Sequence, residues 1–377
     1  MPIHRIVHLS KMTGTAGSEG HLLTLLDGLR QREMDAQLWI LVEPDNPVQE
    51  YVDRASALGI PVQRLEIRRD LDPRLWRQLI KRFRDEQPDV VHTHLLHADL
   101  HGIPAAHWAG VPTIVSSRHN DDKFRRALPM RLLNRWLWRQ TNGGIAISEA
   151  IRQFCIQVEG ARPERIHTVH YGLDPALVTT PADARQSLLD TLHLPAETLI
   201  AGSVCRLIEQ KGLRFALEGF AQIAPQVPQA HYIIAGDGAL RSELEDQASA
   251  LHLESRVHFL GWRSDAHAIM AGLDVLLAPS LWEGFGLVFL EAMALHVPII
   301  STRVSAIPEV VVDGETGWLI APQDTPATAA ALLDALTHPD SRRARGLAGY
   351  ERLQAHFTVR AMIERTLAIY RALETHS

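Results

Sequence analysis

Short apolar runs alternate with longer stretches of helical periodicity from one end of the chain to the other. In the first half the runs IHRIVHLS, AQLWILVE, VQRLEI, DVVHTH, TIVSSRH and GGIAIS read as strands. Helical patterns separate them over residues 21–33, 51–58, 75–86, 98–109, 129–140 and 149–158. The alternation restarts after Pro181 with LIAGSVCRL, HYIIAGDG, RVHFLG, DVLLAPS, PIISTRV and GWLIAP. Strands that are apolar throughout belong to sheets covered on both faces. The expected fold class is therefore α/β, with two doubly wound parallel sheets. Between Tyr171 and Asp183 the stretch YGLDPALVTTPAD loses periodicity and carries two prolines, which marks a seam. The reading is a first domain over 1–177 and a second over 178–357. A last helix, within 358–377, follows the second sheet and packs back on the first domain.

Composition narrows the classes. A chain of 377 residues, 46% apolar and 22% charged, suits a soluble two-domain protein. The net charge of −6 is uneven: residues 1–177 carry 23 Lys+Arg against 21 Asp+Glu, and residues 178–377 carry 15 against 23. A first half at +2 is too weakly basic for nucleic-acid binding. Cys155 and Cys205 are the two cysteines, so neither a disulfide framework nor a metal-type spacing exists and a reducing compartment is expected. MPIHRIVHLS reads as a first strand without the apolar core of a signal peptide, and no run of about 18 apolar residues occurs. The expected location is the cytoplasm, with any membrane contact made from the side.

In doubly wound sheets ligands sit at the carboxyl ends of the strands. One segment there stands out, APSLWEGFGLVFLEAMALHVPIISTRVSAIP from Ala278 to Pro308. Glu283 and Glu291 lie eight positions apart around a Gly-Phe-Gly turn that opens a helix. The N–H groups of Gly284, Phe285, Gly286 and Leu287 could meet phosphate, aided by the helix dipole. Acids beside a phosphate cradle would bind something else, and the hydroxyl pairs of a ribose or hexose suit them. The plain alternative makes Glu283 a cap and Glu291 a surface charge, although LVFLEAMAL is nearly all apolar. Arg206 and Lys211, spaced R-x4-K at another strand end, suit a diphosphate; standing alone they would read as a solvated loop.

CRLIEQKG, IIAGDGALRSELE, VHFLGW and the segment above together resemble the retaining glycosyltransferases of family 4, which have the GT-B fold, over nearly the whole chain. The resemblance implies two Rossmann-like domains facing across a cleft. It implies transfer of a sugar, with retention, from a nucleoside-diphosphate sugar to an acceptor hydroxyl, and no metal or other cofactor. Glu283 would bind donor-sugar hydroxyls near the reacting carbon, Glu291 the ribose, Arg206 and Lys211 the diphosphate. Leu260, within 259–262, would border the base. Family members open with a Gly-rich loop after the first strand; here TGTAGSEG departs from the adjacent Gly-Gly form, and Gly17 is the favoured phosphate contact. His119 matches a position at which a His contacts the donor sugar, and it or the departing phosphate could take the acceptor proton. Arg118 could meet the acceptor or a phosphate, Asp121 and Asp122 are candidates for the acceptor, and His94 could help to position it. The implied acceptor is a lipid-linked, lipopolysaccharide or exopolysaccharide glycan.

Other features carry rival readings. His97 and His101 have the i, i+4 spacing of a zinc pair. The segment from Lys123 to Arg139 has six cations and no acid, interleaved with Leu128, Leu132, Leu133, Trp136 and Trp138. It reads either as an interfacial helix for anionic lipid or as a helix packing its Leu/Trp stripe on the sheet. Ser148 is most simply an N-cap. Two rival functions use the same residues: a catalytically silent nucleotide-sugar-binding partner, and a sugar-nucleotide epimerase.

Overall fold

The structure is a computed structural model and describes residues 3–12 and 17–374. The chain forms two compact units, 1–172 with 359–377 and 173–358. The division falls between Gly172 and Leu173, five residues before the expected one.

Seven parallel strands make the first unit's sheet: β1 (Arg5–Lys11), β2 (Asp35–Val42), β3 (Val62–Glu66), β4 (Val90–His94), β5 (Thr113–Arg118), β6 (Gly143–Ala146) and β7 (Ile166–Thr168). Their order is β3-β2-β1-β4-β5-β6-β7. The sheet thus reverses direction of growth between β1 and β4. Its helices are α1 (Gly17–Arg30), α2 (Gln49–Ala57), α3 (Pro73–Glu86), α4 (Leu95–Ala109), α5 (Leu128–Gln140) and α6 (Glu149–Phe154), the last running into a π turn over Cys155–Glu159. The three-residue β7 has no apolar run of its own and was not expected from the sequence.

In the second unit, β8 (Leu199–Val204), β9 (Ala230–Ala235), β10 (Val257–Gly261), β11 (Val275–Ala278), β12 (Ile299–Thr302) and β13 (Gly317–Ile320) pair in the order β10-β9-β8-β11-β12-β13, all parallel. Between and after them run α7 (Ala184–Thr191), α8 (Leu213–Ile223), α9 (Arg241–Ala250), α10 (Ala266–Ala271), α11 (Leu287–Ala294), α12 (Ile307–Val310), α13 (Thr325–Thr337) and α14 (Pro339–His356). The final helix α15 (Val359–Glu374) belongs to the first unit, where Met362, Ile363, Tyr370 and Leu373 share a core with Leu22 and Leu26 of α1. Both units are thus Rossmann-like α/β layers.

Successive side chains on a strand point to opposite faces, and the first sheet uses this fully. Ile6, Val90 and Val115 pack under α1 and α15. Val7, Leu9, Val91 and Ile114 pack against Leu79 and Phe83 of α3 and Ile103 of α4. The same rule corrects the sequence reading of Arg118. This residue follows Ser116 onto the α4 face and is 1% exposed, out of reach of an acceptor in solvent. Its guanidinium pairs with Asp99 and with Glu159 at 2.9 Å, and it lies over the Trp138 ring at 4.6 Å. Glu159, on the last residue of the π turn, also takes Arg125 at 3.0 Å and the Trp138 indole N–H at 2.9 Å. Burial opposes every charge here. Asp99 and Glu159 nonetheless hold the Arg118 pKa above its ordinary value, and the two arginines hold Glu159 below its own. This cluster joins α4, β5, α5 and the π turn. Glu159→Leu would leave two buried guanidiniums short of a counter-ion, and should cost about 3–5 kcal/mol. A denaturant midpoint equal to wild type would refute that role.

Candidate functional site

The second sheet reverses its growth direction where β8 meets β11, and the loops leaving these strands run side by side. Leu281 N–H donates to the Gln210 carbonyl at 2.7 Å, and the Gln210 side-chain amide donates to the Trp282 carbonyl at 3.0 Å. Gly212 makes this approach possible. It has φ +63°, and a Cβ there would stand 2.1 Å from the Pro279 carbonyl oxygen. The outcome is an ion pair: Lys211 Nζ lies 2.5 Å from Glu283 Oε2, with both side chains mostly covered. Arg206, in the same loop, is exposed and has no ion pair among the described residues.

The turn after Glu283 is anchored from below. Phe285 is 1% exposed and meets Phe357 edge-on at 5.8 Å, so only its backbone remains for a ligand. Gly286 caps α11 with φ +86°; a Cβ there would strike the Phe289 ring at 2.4 Å. Gly284, Phe285, Gly286 and Leu287 therefore stand at a helix N-terminus, where amides lack intrahelical acceptors. One turn on, Glu291 faces His267 of α10 at 3.7 Å, and this carboxylate raises the His267 pKa against the effect of partial burial. His267 was missed in the sequence; a lone His on the short apolar stretch AHAIMA gives no sign of its partner. His267 and Leu260 both line an open pocket of about 520 Å³, together with Arg263 and residues of α7.

In the first unit the carboxyl ends of β4 and β5 carry histidines rather than charges on the face turned to α15. His8 on β1 stands opposite His92 on β4, and Ser117 on β5 opposite His94, so all four face α15. A chain of contacts runs from the sheet centre to the strand end. His8 Nδ1 is 3.0 Å from His94 Nε2, His94 Nδ1 is 3.1 Å from His119 Nε2, and His119 Nδ1 is 2.5 Å from the Tyr171 hydroxyl. His92 bonds Tyr370 of α15 at 2.6 Å and Ser117 at 2.7 Å. This overturns the acceptor role read for His94, which is 3% exposed with both ring nitrogens engaged. His119 is only partly covered, but its two nitrogens are likewise spent within the chain. Asp121 and Asp122 follow it, half-buried; burial raises the Asp122 pKa against the pull of Arg125. Gly17 is the first residue of α1, and Gly14 of the same loop lies outside the described residues.

His8, His92 and His94 bring one nitrogen each within 4.8 Å of the others. As a metal site the set fits poorly, because His92 and His94 already use both nitrogens in hydrogen bonds. His97 and His101 do not pair as ligands either. His101 Nδ1 meets the His97 carbonyl at 2.9 Å and its Nε2 accepts the Asp72 N–H at 3.1 Å, while His97 pairs with Asp70. Among the described residues no helix is long and apolar enough to cross a membrane.

Comparison with known proteins bears on this geometry. Residues 15–177 match the family model described as "Glycosyltransferase Family 4", and residues 198–338 that described as "Glycosyl transferases group 1". The chain is 27% identical over 332 residues to the UDP-Gal:alpha-D-GlcNAc-diphosphoundecaprenol alpha-1,3-galactosyltransferase of Escherichia coli, covering 84% of each. It is 30% identical to the alpha-maltose-1-phosphate synthase of Mycolicibacterium smegmatis, over 76% of this chain and 79% of that one. Among solved structures, Anabaena HepE in complex with UDP and glucose superposes with a TM-score of 0.86 at 21% identity, over 98% of this chain and all of that one.

The histidine cluster has a consequence for stability. Burial, reinforced by neighbouring histidines and arginines, holds His8 and His119 down at about 3 and His21, His92 and His94 well below 6.5. All five are then neutral when folded but bind protons below pH 6.5 when unfolded. Stability should be full above that value and fall as pH drops through it, by about 1.4 kcal/mol per pH unit for each such group. Thermal melts at pH 7, 6 and 5 should show a steep decline, and a flat melting temperature would contradict the neutral cluster.

Proposed function

The chain belongs to the group 1, family 4 glycosyltransferases, and from that premise we propose that it moves a hexose from a nucleoside-diphosphate sugar to an acceptor hydroxyl, with retention at the anomeric carbon. The observation that carries the donor side is the Lys211–Glu283 pair at the β8/β11 switch point. In this reading the diphosphate of the donor competes for Lys211, and Glu283, released from its cation, accepts hydrogen bonds from sugar hydroxyls beside the reacting carbon. Arg206 and the amides of Gly284, Phe285, Gly286 and Leu287 complete the diphosphate site. They stabilise charge as it develops on the leaving group. Glu291, with His267 beside it, takes the ribose hydroxyls, Leu260 borders the base, and Gly17 is kept as the phosphate contact that the family resemblance implies. With cations and amides supplying this stabilisation, the reaction needs no metal.

The proton acceptor is the departing phosphate. His119 lacks a spare nitrogen, and burial and neighbouring arginines depress its basicity to about 3; its remaining role is the donor-sugar contact that the family resemblance implies. The acceptor side retains Asp121 of the earlier candidates. The E. coli relative's name specifies UDP-galactose and a diphosphoundecaprenol-linked acceptor, which makes a UDP-sugar the first donor to test and a lipid-linked glycan the acceptor class. Such an acceptor would be reached by peripheral contact of the segment from Lys123 to Arg139 with the cytoplasmic face of a membrane.

Glu283→Ala should lower transfer by about 10²-fold or more while UDP affinity holds or rises, because Lys211 is freed. Wild-type turnover in that variant would remove Glu283 from the mechanism. Arg206→Ala should weaken UDP binding by roughly 10-fold or more, and unchanged calorimetric affinity would remove Arg206 from the diphosphate site.

A further inference from the structure

One face of α5 does not behave as a core helix. Leu133, Leu137 and Trp138 turn inward, but Leu128, Leu132 and Trp136, four residues apart, are 65%, 57% and 44% exposed. Phe124, in the preceding short helix Lys123–Arg126, extends the row at 50%. The alternative in which the whole stripe packs on the sheet is thereby overturned. Residues four apart on a helix stack along its axis, so Arg131, Arg135 and Arg139 form a second column beside the apolar one. Arg135 and Arg139 open onto a pocket of about 390 Å³ whose far wall is Arg162 and Arg165, floored by Trp138 and Gly160. Among the described residues none of these four arginines has a carboxylate partner.

We infer that this pocket is a phosphate site for an anionic phospholipid headgroup, seated when the apolar row of α5 lies in the membrane interface. The inference rests on the proposed membrane contact of that segment and adds to it a defined headgroup site. Guanidiniums bind phosphate oxygens bidentately, and four unpaired ones around a single concavity fit a phosphodiester. An apolar row flanked by arginines is the pattern of a helix lying in the lipid interface, which favours a lipid over a free phosphate. The pocket is distinct from the reacting site. Thr141 and Ile166 in its wall flank the amino ends of β6 and β7, whereas His119 follows the carboxyl end of β5, so the sheet and the length of α5 lie between. A ligand there anchors the protein and does not react.

Flotation of the full chain with vesicles tests this. Wild type should bind vesicles of phosphatidylcholine with phosphatidylglycerol and not phosphatidylcholine alone. R162E/R165E should weaken that binding by about 20-fold or more, while the charge-matched R365E/R371E, on the exposed face of α15, changes it about twofold at most. L132S/W136S should also lose vesicle binding. Unchanged circular dichroism would show that each variant is folded. Equal losses for the two arginine pairs would overturn the pocket and leave only diffuse attraction, with membrane contact intact. Wild type failing to float would overturn both pocket and contact. Retained vesicle binding by L132S/W136S would overturn the seating of the apolar row in the lipid interface, and with it the headgroup assignment that depends on that seating. None of these readings depends on sugar transfer.

Discussion

At Gly212 a single methyl group would lie 2.1 Å from the Pro279 carbonyl oxygen. Any other residue would push the loop after β8 away from the loop after β11. With glycine there, a 2.7 Å backbone hydrogen bond and the amide of Gln210 lock the two loops together. The short turn over Glu209–Lys211 then delivers the Lys211 ammonium to the Glu283 carboxylate. From Glu283 the chain has three residues in which to start α11, and Phe285 and Gly286 fix that start by anchoring a ring and by taking a left-handed backbone. The cation, the acid and a set of helix-terminal amides therefore come from loops that are 72 residues apart in sequence but share one close approach.

The first unit solves a different problem on the two faces of one sheet. Toward α4, Arg118, Asp99, Glu159 and Arg125 are buried as mutually compensated charges. Toward α15, His8, His92 and His94 are buried neutral, with the partly covered His119 beside them. The pleat separates them: neighbours Arg118 and His119 leave β5 in opposite directions. A charged imidazole in the second set would be raised in energy by desolvation and by the arginines nearby, and its protonation in the unfolded chain opposes folding at low pH. The lattice thus suits rigid placement of the β4 and β5 ends, helped by Leu95, which leaves β4 at φ +69°, a strained conformation for a side-chain-bearing residue.

Much of this was legible because it is local. Unbroken apolar runs between helical stretches disclosed twelve of the thirteen strands, and the spacing of the charged residues placed Arg206, Lys211 and Glu283 after strand ends and Glu291 on the helix that follows. What escaped depends on tertiary neighbours or on strand parity. Arg118 and His119 look equivalent at a strand end until alternation sends one inward. His94 looks like a free strand-end imidazole until His8, 86 positions away, takes its nitrogen. His267 acquires meaning only from Glu291, and β7 is too short to announce itself. The stripe of α5 was ambiguous for a physical reason: leucine and tryptophan at helical spacing carry the same pattern whether they meet a sheet or a lipid, and only exposure separates the cases.

These assignments bear on where the acceptor proton goes. An imidazole held near 3 is a poorer base than a phosphate, whose second ionisation lies near 6, and its nitrogens are committed to neighbours. The leaving diphosphate starts as a weak base and gains basicity as its bond to the sugar lengthens, which is when the attacking hydroxyl becomes acidic. A base that strengthens in step with bond breaking needs no tuned side chain beside it. It does need the leaving oxygen and the incoming hydroxyl on the same face of the sugar, which is the geometry that retention at the anomeric carbon requires. The protein's task in this reading is electrostatic: Lys211, Arg206 and the α11 amides must hold enough positive charge on the leaving group for departure to begin, but leave one of its oxygens free to receive the proton.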